Sequence, residues 1–194
     1  MEAKDGKTLT FDEGLNQLDK SNKVIVEANK LITDVLLDTF LFSLSWWVAL
    51  AMLIVPWSLW AIFRNKESSA RLLYAAFIVM IVSTTIDGLG VDFGKWAYPV
   101  KVIPVPTISY SFRYGVIPVT IMFLIQFKPK LNPFLKAVLF GGLGAYIGMP
   151  IMSMLHLYKK IDWAYTYSFF ILVSLYLIAH WFSRRESFEK VVEN

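Results

Sequence analysis

Five stretches of about twenty residues are nearly free of charge, and that feature limits what the chain can fold into more than any other. They run over about 43–63, 72–92, 108–127, 137–157 and 163–182. A helix needs ~20 apolar residues to cross ~30 Å of hydrocarbon, and in lipid only helices and closed barrels satisfy every backbone group. Barrel strands alternate apolar and polar over roughly ten residues. Runs such as SLSWWVALAMLIVPWSLWAIF do not alternate. The expected fold is therefore all-α: a polytopic helical membrane bundle of five transmembrane helices. The 56% hydrophobic content and mean hydropathy of +0.52 agree, since soluble domains average about 45–50% apolar.

The charges lie mostly outside these runs. Residues 1–42 carry five Lys and eight acids. Thr10 and Glu13 fit a capping box, so a helix is expected to begin near Phe11. Val24, Ala28, Leu31, Val35 and Phe42 keep helical spacing while Lys30, Asp34 and Asp38 fall on other faces. That pattern fits an amphipathic helix on a membrane or partner. The plainer reading is a polar extension of the first span. No short apolar core of a cleavable signal peptide is visible there. The expected organisation is an N-terminal polar, amphipathic helical extension (1–42), a five-helix transmembrane domain (43–183) and a short cytoplasmic tail (184–194).

Basic residues set the orientation. Arg64, Lys66, Arg71, Lys128, Lys130, Lys136, Arg184, Arg185 and Lys190 fall on one side; Lys95, Lys101, Lys159, Lys160 and Lys30 fall on the other. The richer side is expected to be cytoplasmic. The N-terminus and the 93–107 and 158–162 loops then face outward, and the C-terminus inward. The net charge of +4 follows from this flanking pattern and gives no reason to expect nucleic acid.

Several chemistries lack their residues. With no cysteine there is no disulfide or thiolate. His156 and His180 stand near opposite ends of their helices with no ligand partner at metal spacing. No nucleophile, base and acid form a recognisable set. GLGVDFG follows no predicted strand, so it is not a phosphate loop. No cofactor, metal or catalytic residue is expected.

What remains is the stretch STTIDGLGVDFGKWAYP. Asp87 lies about five residues below the outer end of the second span, and Arg113 about five below the outer end of the third. At 1.5 Å per residue both sit roughly 8 Å deep. Charges inside spans are costly and usually face a bundle interior, a watery cavity or each other. Asp87 is therefore expected to pair with Arg113, either to fix helix register or as the polar floor of an outward-facing pocket. Asp92, Trp96, Tyr98, Tyr110 and Tyr114 share that level and complete the candidate binding set. His156, Tyr158, Trp163, Tyr165 and Tyr167 lie there too. For Trp96, Trp163 and Tyr158 the simplest account is an aromatic belt at the headgroups. Gly90 with Gly94, Thr84 with Gly88, Gly144 with Gly148 and Gly141 with Ala145 put small residues four apart. That spacing lets helices approach closely, within the bundle or across a dimer or partner face. Pro99, Pro104 and Pro106 predict a stiff, extended loop that either lids the bundle or bridges two helices.

IVPWSLW, STTIDGLGVDFGKWAYP, VIPVTIMFLIQF and IDWAYTYSF, in that order, resemble an uncharacterised family of small multi-pass membrane proteins found mainly in endospore-forming Firmicutes. The resemblance covers about residues 45–180, and the Asp-Gly-x-Gly…Gly-x-Trp-x-Tyr-Pro stretch is its most specific part. It implies a bundle of about five spans in a bacterial cell membrane and supplies no substrate. Members carry an acidic residue beside the proline of the fourth helix, where this chain has Met149.

The leading functional expectation is a non-enzymatic binding or accessory component of the membrane, holding a lipid, a small apolar ligand or a partner at its outer face. The alternative is an intramembrane enzyme acting on a lipid or isoprenoid, with Asp87 or Asp92 as an acid–base group. A small transporter ranks last, because the five spans show no internal repeat.

Overall fold

Residues 9–104 and 109–185 are described by the computed structural model, and they are overwhelmingly helical. Helix α1 (Phe11–Val35) starts where the capping box places it: the Thr10 hydroxyl accepts from the Glu13 amide, and the Glu13 carboxylate accepts from the Thr10 amide at 2.9 Å. A π turn, Leu36–Phe40, continues it. Phe42, at φ 62°, then breaks the path, and the Ser43 hydroxyl caps α2 (Leu44–Phe63). Next come α3 (Ser69–Asp92), a π segment Ser111–Val116 running into α4 (Ile117–Gln126), and α5 (Pro133–Leu143). A second π segment, Gly144–Gly148, leads into α6 (Met149–Met154), and α7 (Tyr165–Ser183) completes the order. Two two-residue strands, β1 (Trp96–Ala97) and β2 (Lys159–Lys160), pair antiparallel, Trp96 opposite Lys160.

Four helices are long and apolar enough to cross a membrane: Leu44–Phe63, Ser69–Asp92, Pro133–Met154 and Tyr165–Ser183. The sequence pattern predicts a fifth over 108–127. The helix there is shorter, six residues of π-helix and ten of α-helix, a length of about 24 Å. Its predicted first residue lies outside the described residues, as do residues 1–8, the end of the proline-rich loop and the tail from 186 onward.

Both π segments have the same cause. Proline removes one helical amide, and its ring clashes with the carbonyl four residues back. Just ahead of Pro118 and Pro150 the helix widens, so that Ile117 N–H reaches Phe112 O and Met149 N–H reaches Gly144 O, five back instead of four. Pro118 leaves the Tyr114 carbonyl without its helical donor, and the Trp57 indole N–H supplies one.

Tight packing orders the bundle. α2 lies against the Ser111–Val116 segment, α4 against α3, α3 against α7, and α7 against α5. Small residues bring the backbones together at two of these contacts. A Cβ on Gly115 would overlap the Met52 carbonyl of α2, and one on Gly141 would lie 2.7 Å from Val173 and 3.0 Å from the Phe169 carbonyl. Ser111 donates to Ala49 O at 2.7 Å beside the first. Of the expected small-residue pairs, Gly141 and Ala145 behave as predicted, and Gly144 faces Leu172. Gly88 has nothing within 4 Å, and Gly148 meets only the Leu143 carbonyl at the end of α5, at 3.5 Å. Side chains such as Ile54, Ile62, Phe77, Ile81, Leu139, Leu143, Ile147 and Phe170 point outward. Such an apolar exterior suits helices surrounded by lipid.

In the core around Val79, Ile121, Met122, Leu175 and Tyr176, the Tyr176 hydroxyl has no hydrogen-bond partner among the protein atoms. Removing an unsatisfied buried hydroxyl relieves a desolvation cost of about 1–3 kcal/mol. Tyr176→Phe is therefore expected to hold or raise the unfolding midpoint, read by a denaturing-detergent titration. A marked loss would mean the hydroxyl is satisfied in the folded protein.

The two ends of the bundle differ. At one, Gln126 donates to Phe63 O at 2.9 Å, Arg184 to Pro129 O at 2.9 Å and Lys136 to Leu124 O at 2.7 Å. These contacts gather the basic turns. At the other, Trp46 donates to Val102 O at 3.1 Å, Val100 N–H to His156 O at 3.3 Å and Thr33 to Pro104 O at 3.3 Å. They fasten the 93–104 loop across the end that carries Asp87.

Candidate functional site: a carboxylate hub and an apolar cavity

The site begins with how α3 stops. Gly94, at φ +65°, sits just beyond the helix in the left-handed region that favours glycine. Lys95 N–H returns to Gly90 O at 2.8 Å and Gly94 N–H to Val91 O at 2.9 Å, which is a Schellman cap. The chain reverses, and Trp96 folds back onto the last turn of α3. Gly90 makes that fit possible, because a Cβ there would overlap the indole. So the small residues at 90 and 94 serve a cap and a ring contact, not the helix–helix face expected from their spacing.

Folded back, Trp96 reaches Asp87. Its indole N–H donates to Oδ1 at 2.8 Å, the Tyr98 hydroxyl donates to the same oxygen, and Arg113 Nε donates to Oδ2. Asp87 and Arg113 are paired, as their depths predict, with side-chain exposures of 13% and 3%. The π segment sets Arg113 on the inward face together with Ser111 and Gly115. Hydrogen bonds to a charged group contribute about 1.5–3 kcal/mol each. With three donors on one carboxylate, Asp87 is a hub that joins α3, the loop and the Ser111–Val116 segment.

Electrostatics keeps the donors protonated. Burial first, then the Asp87 charge, raises the Tyr98 hydroxyl well above its usual value. Burial likewise raises that of Tyr158. Lys101, in the same loop and 7% exposed, is pushed down to about 8 by burial, with Arg113 adding to the shift and Asp87 opposing it.

Beside the hub is a cavity with about 80 Å³ of room for the centres of water-sized spheres. One water needs about 10–15 Å³ on that measure, so several waters or a short apolar group would fit. Asp87, Trp96, Tyr98, Arg113 and Tyr158 form its polar end; Ile86, Phe112, Ile117, Met149, Ile171 and Leu172 line much of the rest. Ile86, Phe112, Ile117, Met149 and Ile171 are partly exposed, whereas Asp87, Trp96, Arg113 and Tyr158 are buried. Tyr98 is partly exposed too and Leu172 is buried, so most but not all of the apolar lining is more open than the polar end. The Tyr158 hydroxyl, in a residue 4% exposed, has no hydrogen-bond partner.

Of the seven predicted site residues, the structure brings Asp87, Arg113, Trp96 and Tyr98 together. Asp92 is exposed at the end of α3, outside the cavity. Tyr110 and Tyr114 lie tilted against each other, 5.7 Å between ring centres, and do not line it either. The segment that carries Arg113 inward turns these two residues, one and three positions away, to other sides. The aromatic-belt assignment of Trp96 and Tyr158 is also corrected, since both rings are buried. Trp163 is half-buried, with its N–H on Ser168 Oγ at 2.9 Å and its ring edge against Trp96 at 4.7 Å. Sequence reasoning misses the lining role of Tyr158, Ser168 and Met149. Met149 adds a thioether to the apolar part of the lining. No cluster of His, Cys, Asp or Glu able to hold a metal occurs among the described residues.

No protein-family model, curated protein or solved structure matches the chain.

Proposed function

We propose that this chain is an integral membrane protein without catalysis of its own, and that it holds a small amphiphile in the cavity beside Asp87. The ligand has a short apolar part and a hydrogen-bond acceptor. It enters from the lipid side past Ile117, Met149 and Ile171, and its acceptor meets the Tyr158 hydroxyl. The richer set of basic residues at the opposite end supports an orientation with that end cytoplasmic and the Asp87 end outside. The family resemblance supports a bacterial cell membrane.

One observation carries this reading: a buried tyrosine hydroxyl without a partner, on the wall of a mostly apolar cavity. An unpaired buried donor costs about 1–3 kcal/mol, and an acceptor on a ligand would remove that cost. Asp87 supports binding over acid–base catalysis, because its two oxygens already accept from three donors. A general base must reach its substrate's proton, and three of the carboxylate's about four lone-pair sites are taken.

Native mass spectrometry of the protein released from mild detergent tests it. The wild type is expected to carry a bound lipid or small apolar molecule. Tyr158→Phe is expected to lose at least ten-fold in occupancy while its unfolding midpoint holds. Met149→Trp, which fills the apolar part, is expected to lose the adduct altogether. A wild type without an adduct, or unchanged occupancy in both variants, overturns the reading.

A further inference from the structure

Helix α1 has no buried residue along its 25 positions, and the hydrogen bond that ties it to the rest of the bundle lies near its end, from Thr33 to Pro104 O at 3.3 Å. Yet it is not a polar helix. Phe11, Leu15, Leu18, Ile25 and Ile32 are 81%, 48%, 61%, 55% and 44% exposed. Their spacing, with Asn22 and Asn29 included, is alternately four and three residues. Written as heptads, Phe11, Leu18, Ile25 and Ile32 occupy d, and Leu15, Asn22 and Asn29 occupy a. No charged residue falls at a, d or g: Asp12, Asp19, Glu13, Lys20, Lys23, Glu27, Lys30 and Asp34 all take e, b or f. A stripe of this period with charges on the outer positions is the seam of a coiled coil.

We propose that α1 pairs with α1 of a second copy of this chain as a parallel, in-register, two-stranded coiled coil over residues 11–32. Two features point to a second copy. An asparagine at an a position is satisfied by an asparagine directly opposite, and it sets register and strand number at some cost in stability. Two identical helices in register place Asn22 across from Asn22 and Asn29 across from Asn29, and no shifted register of the same pair matches both. In a parallel dimer, e faces g of the partner. Here that sets Asp19 against the uncharged Gly14, Val26 against Ser21 and Thr33 against Ala28, so the pairing carries no repulsion. Charge also tells against a lipid surface as the occupant. α1 has five acids to three lysines, whereas helices that lie on membranes are rich in Lys and Arg.

Three heptads with two polar a positions make a weak dimer in solution. Anchoring both copies in one membrane aligns them in parallel and raises their effective concentration, which compensates. That alignment rests on the membrane reading above; the heptad register does not.

The chain has no cysteine, so single-cysteine variants of the full protein report contacts without ambiguity. In mild detergent, Leu18→Cys and Ile25→Cys (d) are expected to form disulfide dimers on oxidation at least ten-fold faster than Lys20→Cys and Glu27→Cys (f). Asn22→Val is expected to lower the dimer dissociation constant about ten-fold, measured by native mass spectrometry over a concentration series. Ile25→Lys is expected to leave only monomer. Since residues 18, 20, 22, 25 and 27 are all exposed and precede the turn tied to the loop, all these variants should keep the wild-type unfolding midpoint. Equal cross-linking at d and f, or a monomer whose mass and cross-linking ignore Asn22→Val, overturns the proposal. So does a monomer whose α1 cysteines react slowly with a soluble thiol reagent only when lipid vesicles are present. None of these readings depends on what occupies the cavity, so the two proposals fail separately.

Discussion

Asp87→Asn is expected to destabilise the protein by about 3–5 kcal/mol, the usual cost of removing one member of a buried ion pair. The substitution keeps the shape and one acceptor oxygen, so Trp96 and Tyr98 keep much of their bonding. What is lost is the negative charge beside Arg113, whose side chain is 3% exposed and cannot regain water without opening the bundle. The double variant Asp87→Asn, Arg113→Met is expected to recover more than half of that loss, because it removes the charge that was stranded. Recovery stays incomplete, since Arg113 also holds the Ser111–Val116 segment to α3. Unfolding midpoints of the wild type, both single variants and the double variant in a denaturing-detergent titration form the cycle that measures the coupling. Equal losses in the single and double variants would show that the two groups do not depend on each other.

The ion pair was legible in the sequence because it depends on coarse quantities. Helix ends predicted to within a few residues, a rise of 1.5 Å and a short connection put Asp87 and Arg113 at one depth. The same counting places α2, α3, α7 and the joined α5–α6 close to where they occur, and the capping box locates the start of α1. Counting fails where backbone geometry departs from the ideal helix. The π segments ahead of Pro118 and Pro150 change which residues face inward, so Tyr110 and Tyr114 leave the site although their depth is right. Trp96 and Tyr98 were predicted at the site, but their role as donors to Asp87 depends on the chain reversal at Gly94. Tyr158 was least legible. It reaches the cavity through a second reversal at His156, which holds φ 59° with Leu157 N–H on Met152 O at 2.9 Å, and through the β1–β2 pair that ties its loop to Trp96. Nothing in the local pattern SMLHLYKK marks that tyrosine as inward.

Gly90→Ala tests whether the hub needs its indole. The new methyl group would occupy the place of the Trp96 ring, which cannot simply retreat. Trp163 lies against its other side at 4.7 Å, and the backbone of Trp96 is paired with Lys160. Either the indole leaves, giving up its 2.8 Å bond to Asp87 and exposing a residue now 6% accessible, or α3 shifts and disturbs the contact with Arg113. Overpacking costs about 1–3 kcal/mol and a hydrogen bond to a charged group contributes about 1.5–3, so a loss of roughly 2–4 kcal/mol is expected for this one methyl group. Gly88→Ala is the matched control on the same helix. It has nothing within 4 Å, and replacing a mid-helix glycine by alanine is worth about 0.5–1 kcal/mol in favour of the folded state. The two variants are thus expected to move the unfolding midpoint in opposite directions. If Gly90→Ala is as harmless as Gly88→Ala, Trp96 does not lie on α3, and the polar end of the cavity must be built in some other way.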